Sequence, residues 1–396
     1  MRVLQINALY SSGSTGFIVK KISETVDDNK GLSFVAHSFG KKEKNKKIQR
    51  FSNKFLIKVN SLLAHFFGNY GFEDIVGTKQ LIRIIKTTKP DIVHFHNIHS
   101  HDVNIDILFK YLNKTNIKII WTFHDCWAFT GYCTHFDYIQ CNKWKTSCHN
   151  CPIKREFSFF FDQSNNLFKK KRDILLRSNF TIVVPSFWLQ SVVAQSCLSN
   201  KPIRVINNGI DLSIFKPMNC NDFETQSQKK IILFVAYKFT ERKGIKDIIY
   251  ISDNIDHSKY LIMLIGSVPK RYLQLLNQNI IHIDKTNDRK ELARYYSEAY
   301  VFVNTTYEDT FPTVNIESIA CGTPIITYDT GGSSEIVSKN VGFVVKKGNM
   351  DAILKLINEN AVDTIKRSDC VQESKKYDQN NKFYEYYKLY EEVLKQ

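Results

Sequence analysis

Short apolar runs alternate along the chain with longer stretches whose apolar residues recur every three or four positions. The runs at 3–6, 91–95, 117–123 and 180–184 are apolar almost throughout, the mark of strands covered on both faces. A loop carrying Gly13 and Gly16 leads from the first run into a helix from about Phe17, and residues 80–87 read as a helix before the second run. Strands separated by helices predict a parallel sheet with helices on both sides. The rhythm restarts at 230–236 and continues through 260–265, 280–283, 300–304, 324–328 and 342–345. The prediction is an α/β protein of two Rossmann-like, doubly wound domains facing each other across a cleft, with ligands at the C-terminal ends of the strands. The expected domains are 1–203 and 204–376. They are joined through the turn-rich stretch 205–217 and the polar segment 219–229. Residues 377–396 form a last helix, amphipathic over 383–390, that packs back on the first domain.

Composition narrows the class. A length of 396 residues suits two domains, and 43% apolar with 24% charged residues is the mix of a soluble globular protein. No run approaches the ~18 apolar residues of a membrane span. The first residues alternate as a strand does and lack a signal-peptide core, so the expected location is the cytoplasm. Lys and Arg exceed Asp and Glu by 55 − 39 = 16. That excess suits nucleic acid, an anionic membrane, phosphorylated small molecules, or merely a solvated Lys-rich surface such as the loop 41–47. The basic residues are dispersed and form no known nucleic-acid module, so no nucleic-acid partner is expected.

Candidate chemistry gathers after the strands. Asp309 and Glu317 bracket a turn with Pro312 that opens a helix, where backbone N–H groups and the helix dipole favour an anion. Carboxylates at this spacing can accept hydrogen bonds from sugar and ribose hydroxyls, although a helix-capping acid and a solvated Glu317 would read the same. Lys238 and Lys243 follow another strand, either as a cation pair for a leaving diphosphate or as a solvated turn. His124 ends the strand 117–123, where a doubly wound domain presents reactive groups; the alternative is a core histidine satisfied by Asp125. His94, His96, His99 and His101 lie close in sequence, but strand alternation disperses them, which favours acceptor binding over metal.

The loop Ser11-Ser12-Gly13-Ser14-Thr15-Gly16 lacks the full G-x-G-x-x-G fingerprint of dinucleotide binding. Cys133, Cys141, Cys148 and Cys151 lie in a Cys-rich insertion at about 126–152. They read as a structural zinc site or as packed thiols, since a reducing compartment disfavours disulfides. The aromatic run 157–161 before Lys169-Lys170-Lys171-Arg172 fits either peripheral contact with an anionic membrane or a buried core beside a solvated helix.

Asp309-x7-Glu317 followed by Ala320-Cys321-Gly322-Thr323-Pro324 resembles the E-x7-E and G-x-P signature of glycosyltransferase family 4, with Asp in place of the first Glu. Lys238 stands where relatives carry Arg, and Lys243 matches their Lys. The passage 123–152 resembles an insertion in a subset of the family active in surface-polysaccharide assembly. The resemblance implies the GT-B fold and transfer of a sugar, with retention, from a nucleotide-diphosphate sugar to a glycan or lipid-linked acceptor at the inner face of the membrane. No cofactor is required. It implies that Asp309 binds the transferred sugar and Glu317 the ribose. The amides of Phe311, Thr313 and Val314 line the donor, Lys238 and Lys243 hold the diphosphate, and Thr286 lies near the nucleobase. Gly13 and Gly16 approach donor phosphate and acceptor, His96 and Asn97 serve the acceptor, and His124 points at the donor sugar near the reacting carbon. A sugar-nucleotide epimerase shares this architecture and is the rival reading.

Overall fold

The structure is a computed structural model that describes residues 1–41, 43–218 and 229–396; most of the polar segment expected to join the halves, with Cys220, lies outside them. The chain divides into two compact units. One comprises residues 1–207 with 382–396, and the other residues 208–381.

The first unit contains β1 (Arg2–Asn7), β2 (Leu32–His37), β3 (Ile48–Arg50), β4 (Ile92–Phe95), β5 (Lys118–Thr122), β6 (Thr181–Val184) and β7 (Ile203–Val205). They form a parallel sheet in the order β3-β2-β1-β4-β5-β6-β7. Alternate residues point to opposite faces. Leu4, Val93, Trp121 and Ile182 therefore enter one core, and Val3, Ile92, Ile120 and Val183 the other. The second core is closed by Ile18, Ile22 and Val26 of the helix Gly13–Asp28. Phe383, Tyr386, Leu389, Tyr390 and Val393 of the last helix, Gln379–Lys395, complete it.

The second unit contains β8 (Lys230–Lys238), β9 (Tyr260–Ser267), β10 (Ile280–Ile283), β11 (Val301–Asn304), β12 (Ile325–Tyr328) and β13 (Gly342–Val345), ordered β10-β9-β8-β11-β12-β13 and all parallel. One face packs Leu233, Phe302 and Ile325 against Ile316 and Ile319 of the helix Thr313–Ala320. The other packs Ile232, Val303 and Ile326 against Ile248 and Ile353 from two further helices.

Every strand expected from an apolar run is present, with ends displaced by no more than two residues. Three strands carry no such run: β2 buries Ser33 and His37, and β3 and β7 are three-residue edges. The first helix starts at Gly13, four residues before Phe17, with Ser12 extended at its N-cap. The helix expected at 80–87 starts at Ile75, because the Asp74 side chain accepts the Gly77 N–H and caps it. In each sheet the strand order reverses once, between β1 and β4 and between β8 and β11. Those reversals open the crevices where doubly wound sheets bind ligands.

Candidate functional site

In the second unit the chain leaves β8 and β11 on either side of the reversal, and the two loops are stitched together. The Tyr307 N–H donates to the Arg242 carbonyl at 2.8 Å, and Arg242 Nη1 lies 3.6 Å from Glu308 Oε2. Lys243 Nζ donates to Asp309 Oδ2 at 2.8 Å, with the two side chains 28% and 24% exposed. Gly244 turns the first loop with φ +72°; a Cβ there would stand 2.3 Å from the Thr305 carbonyl oxygen. Lys238 is the exposed last residue of β8, and half-buried Thr286 follows β10 on the same sheet edge.

The helix Thr313–Ala320 starts at this edge with Pro312 at its N-cap, so the first-turn N–H groups of Thr313 and Val314 belong to the end of the helix that favours anions. The Phe311 N–H is directed at Asp309 Oδ1, 3.3 Å away, and its ring is buried. Asn304 Nδ2 donates to Asn315 Oδ1 at 2.7 Å, and Asn315 Nδ2 to the Ser333 carbonyl at 3.5 Å, fixing helix and glycine-rich loop to the sheet. Glu317 is buried on the second turn, where Tyr296 OH donates to it at 3.4 Å. Burial pushes its carboxyl up to about 7, against the opposing pull of Arg289 and of the Tyr296 hydrogen bond.

In the first unit the four histidines separate. His94 Nδ1 meets Tyr390 OH at 2.6 Å and Nε2 meets Thr122 Oγ1 at 2.8 Å. His99 Nε2 pairs with Asp125 Oδ2 at 2.8 Å, and His101 with Glu73 at 2.5 Å. Asp125 thus serves His99 and the Trp127 N–H. Burial works against its ionisation, but His99 outweighs this and holds its carboxyl down at about 2.

His96 is 1% exposed, with Nε2 3.2 Å from Gln5 Oε1 and Nδ1 3.0 Å from His124 Nε2. Both ring nitrogens are engaged inside the protein, which places His96 behind His124. Gln5 Nε2 donates to the Val19 carbonyl at 3.1 Å, which turns its oxygen toward His96. His96 Nε2 must then carry the hydrogen. Burial lowers the pKa of His96 well below the usual range and that of His124 to about 4, so both rings are neutral. Nδ1 of His96 accepts from Nε2–H of His124, which leaves the lone pair of half-buried His124 on Nδ1. The β1 and β4 loops meet beside it: Ala8 N–H donates to the Asn97 carbonyl at 3.0 Å and Asn97 N–H to Asn7 Oδ1 at 3.1 Å. Gly13 (φ +66°) is exposed, and Gly16 packs where a Cβ would lie 3.2 Å from the Leu9 carbonyl.

The four cysteines of the insertion lie in the core of the first unit or at its margin. Among the described residues no group of three or more His, Cys, Asp or Glu side chains is placed to hold a metal. Cys133 and Cys148 are buried in the apolar core, and Cys148 Sγ accepts the Gly131 N–H at 3.2 Å. Burial pushes the thiols of Cys148 and Cys151 up to about 11 and that of Cys133 to about 12, while Cys141 packs at the margin. The described geometry is that of packed thiols.

Arg242, Glu308 and Gln5 were not singled out in the sequence. The first two adjoin named residues, whereas Gln5 is one polar residue inside an apolar strand.

Two doubly wound units, one with a Lys–Asp pair, a helix N-terminus and a buried glutamate at its reversal, define a protein of the GT-B class. The chain is a glycosyltransferase: residues 34–214 match the family model described as Glycosyltransferase Family 4, and residues 219–377 that described as Glycosyl transferases group 1. It is similar to the putative colanic acid biosynthesis glycosyl transferase WcaC of Escherichia coli K12, with 22% identity over 90% of this chain and 89% of that one. In fold it matches sucrose-phosphate synthase from Thermosynechococcus elongatus, with a TM-score of 0.72, 16% identity, and 99% of this chain and 98% of that one covered. Anabaena HepE in complex with UDP gives a TM-score of 0.67 at 12% identity, with 99% and 100% covered. No helix among the described residues is long and apolar enough to cross a membrane.

Proposed function

We propose that the protein moves a sugar, with retention, from a nucleotide-diphosphate sugar to a hydroxyl of a glycan or lipid-linked acceptor in surface-polysaccharide assembly. The observation that carries this reading is the Lys243–Asp309 pair at the β8/β11 reversal, beside the N-terminus of the helix that holds Glu317. The similarity to a colanic acid enzyme supports the polysaccharide role, and the fold of a UDP-bound protein supports a sugar nucleotide as donor.

Lys238, Lys243 and the amides of Thr313 and Val314 hold the diphosphate and neutralise the charge that grows as the glycosidic bond breaks. Asp309 binds sugar hydroxyls, Glu317 the ribose, and the loop at Thr286 the base. The new C1–O bond forms on the face the diphosphate leaves, and the acceptor proton passes to a diphosphate oxygen. No paired carboxylates of the glycosidase kind are needed. Gly13, Gly16 and Asn97 belong to the acceptor side. His124 serves the donor sugar, with Gln5 and His96 as positioning residues behind it.

The test is a binding screen of UDP-, GDP- and other nucleotide sugars, followed by transfer assays and NMR assignment of the product anomer. Selective binding of one donor and a retained anomer are expected. A Glu317→Ala protein with full transfer activity, or an inverted product, overturns the reading.

A further inference from the structure

The helix Lys54–Phe67 is turned inside out. Ile57, Asn60 and Ala64 face inward, while Phe55 (78% exposed), Phe67 (59%), Val59, Leu62, Leu63 and Phe66 line the outer face. Their spacing follows the helical repeat, so they form one stripe. The loop of Phe159, Phe160 and Phe161 extends it. The Phe159 N–H donates to the His65 carbonyl at 2.8 Å, and the Phe66 ring lies 5.7 Å from those of both Phe159 and Phe160. Nine of the 22 large apolar side chains exposed among the described residues stand in these two short segments. Such concentration marks an interaction surface.

The charges around the stripe select its partner. The helix contains no Asp or Glu and exposes Lys54 and Lys58. Lys154 Nζ reaches the Phe160 carbonyl at 3.5 Å, and Lys169 and Lys170 are exposed just beyond the loop. Asp162 is turned to its own backbone, accepting the N–H groups of Cys151 and Ser164. Packing on a second copy would set like charges against each other. An anionic bilayer answers both features, with aromatic rings at headgroup depth and lysines against lipid phosphate.

We propose that the helix Lys54–Phe67 and the loop at Phe159, Phe160 and Phe161 together dock the protein on an anionic lipid surface. The surface works whichever sugar is transferred, so its test reads binding and not activity. The whole protein is sedimented with phosphatidylcholine vesicles, with and without phosphatidylglycerol, at low and high salt. Binding is expected only with phosphatidylglycerol and weakens as salt rises. Phe55→Ser/Phe67→Ser/Phe160→Ser loses at least tenfold in partitioning, with an unchanged melting temperature because all three side chains are exposed. Lys54→Ala and Lys58→Ala each lose roughly fivefold. Equal binding to neutral vesicles, or a triple variant that binds as the parent does, overturns the proposal. So does a dimer seen by light scattering that the triple variant dissociates, in a protein that ignores vesicles.

Discussion

Lys243 Nζ and Asp309 Oδ2 are 2.8 Å apart although the residues lie on different loops, one after β8 and one after β11. A partly exposed ion pair of this kind contributes only about 0–1 kcal/mol. A charge-assisted hydrogen bond to phosphate contributes about 1.5–3 kcal/mol, so a diphosphate can recruit Lys243 without much opposition.

Two substitutions separate the partners. Lys243→Ala is expected to weaken nucleoside-diphosphate binding about 10- to 100-fold by calorimetry. Asp309→Asn releases the lysine, so the same binding holds or tightens while transfer of the sugar collapses. Equal losses of binding in both variants would contradict the division of labour.

With Glu317 in its proposed role on the ribose, donor binding depends on pH. The Glu317 carboxyl has an ordinary value of 4.5 and is pushed up to about 7 by burial. The folded protein therefore holds an extra proton between these values. The stability this adds is full below about 4.5 and is lost as pH rises through about 7. Two ribose hydroxyls need an acceptor, which only the ionised group fully supplies. Nucleotide affinity should rise between about pH 6 and 8, with a proton released on binding near pH 6. Calorimetry in buffers of different ionisation heat measures that proton, and Glu317→Gln should abolish its release and flatten the profile.

The Gln5–His96–His124 chain fixes a tautomer. Gln5→Met removes the acceptor that keeps the hydrogen on His96 Nε2, so His124 is expected to populate both tautomers. Imidazole nitrogen NMR should show a single Nε2–H tautomer of His124 in the parent and an averaged signal in the variant. The turnover number falls roughly tenfold, about 1.4 kcal/mol, with the donor KM unchanged. A KM rise without a change in turnover would assign Gln5 a merely structural part.

Gly331 has φ +52°, and a Cβ on it would lie 1.8 Å from the Asp309 carbonyl oxygen. Gly331→Ala meets both the left-handed penalty of about 1–2 kcal/mol and that clash. The melting temperature should drop by several degrees, and donor affinity by at least tenfold as the Asp309 loop is pushed away. Unchanged affinity would show that this loop tolerates displacement.

Apolar strands buried on both faces were legible because a parallel sheet leaves them nowhere polar to look. β2 was not, because Ser33 and His37 are buried through hydrogen bonds that no local pattern announces. The helix Lys54–Phe67 has a clear period, but its stripe faces away from the core. At the site, the acids and lysines were legible as residue types at strand ends. Their pairing was not: Lys243 and Asp309 are 66 positions apart, and Gln5 and His96 are 91. Adjacent strand ends in a doubly wound sheet come from distant parts of the chain, so such contacts exist only once the strand order is set.

The last helix gives that order a consequence in time. Tyr390 hydrogen-bonds to His94 and, with Phe383, Leu389 and Val393, fills a core whose other walls come from β1, β4, β5 and β6. On the ribosome, the unit translated first waits for the whole of the second before it receives these side chains. A nascent chain halted near residue 380 would present a finished second unit beside a first unit with an open, water-exposed face, a natural target for chaperones.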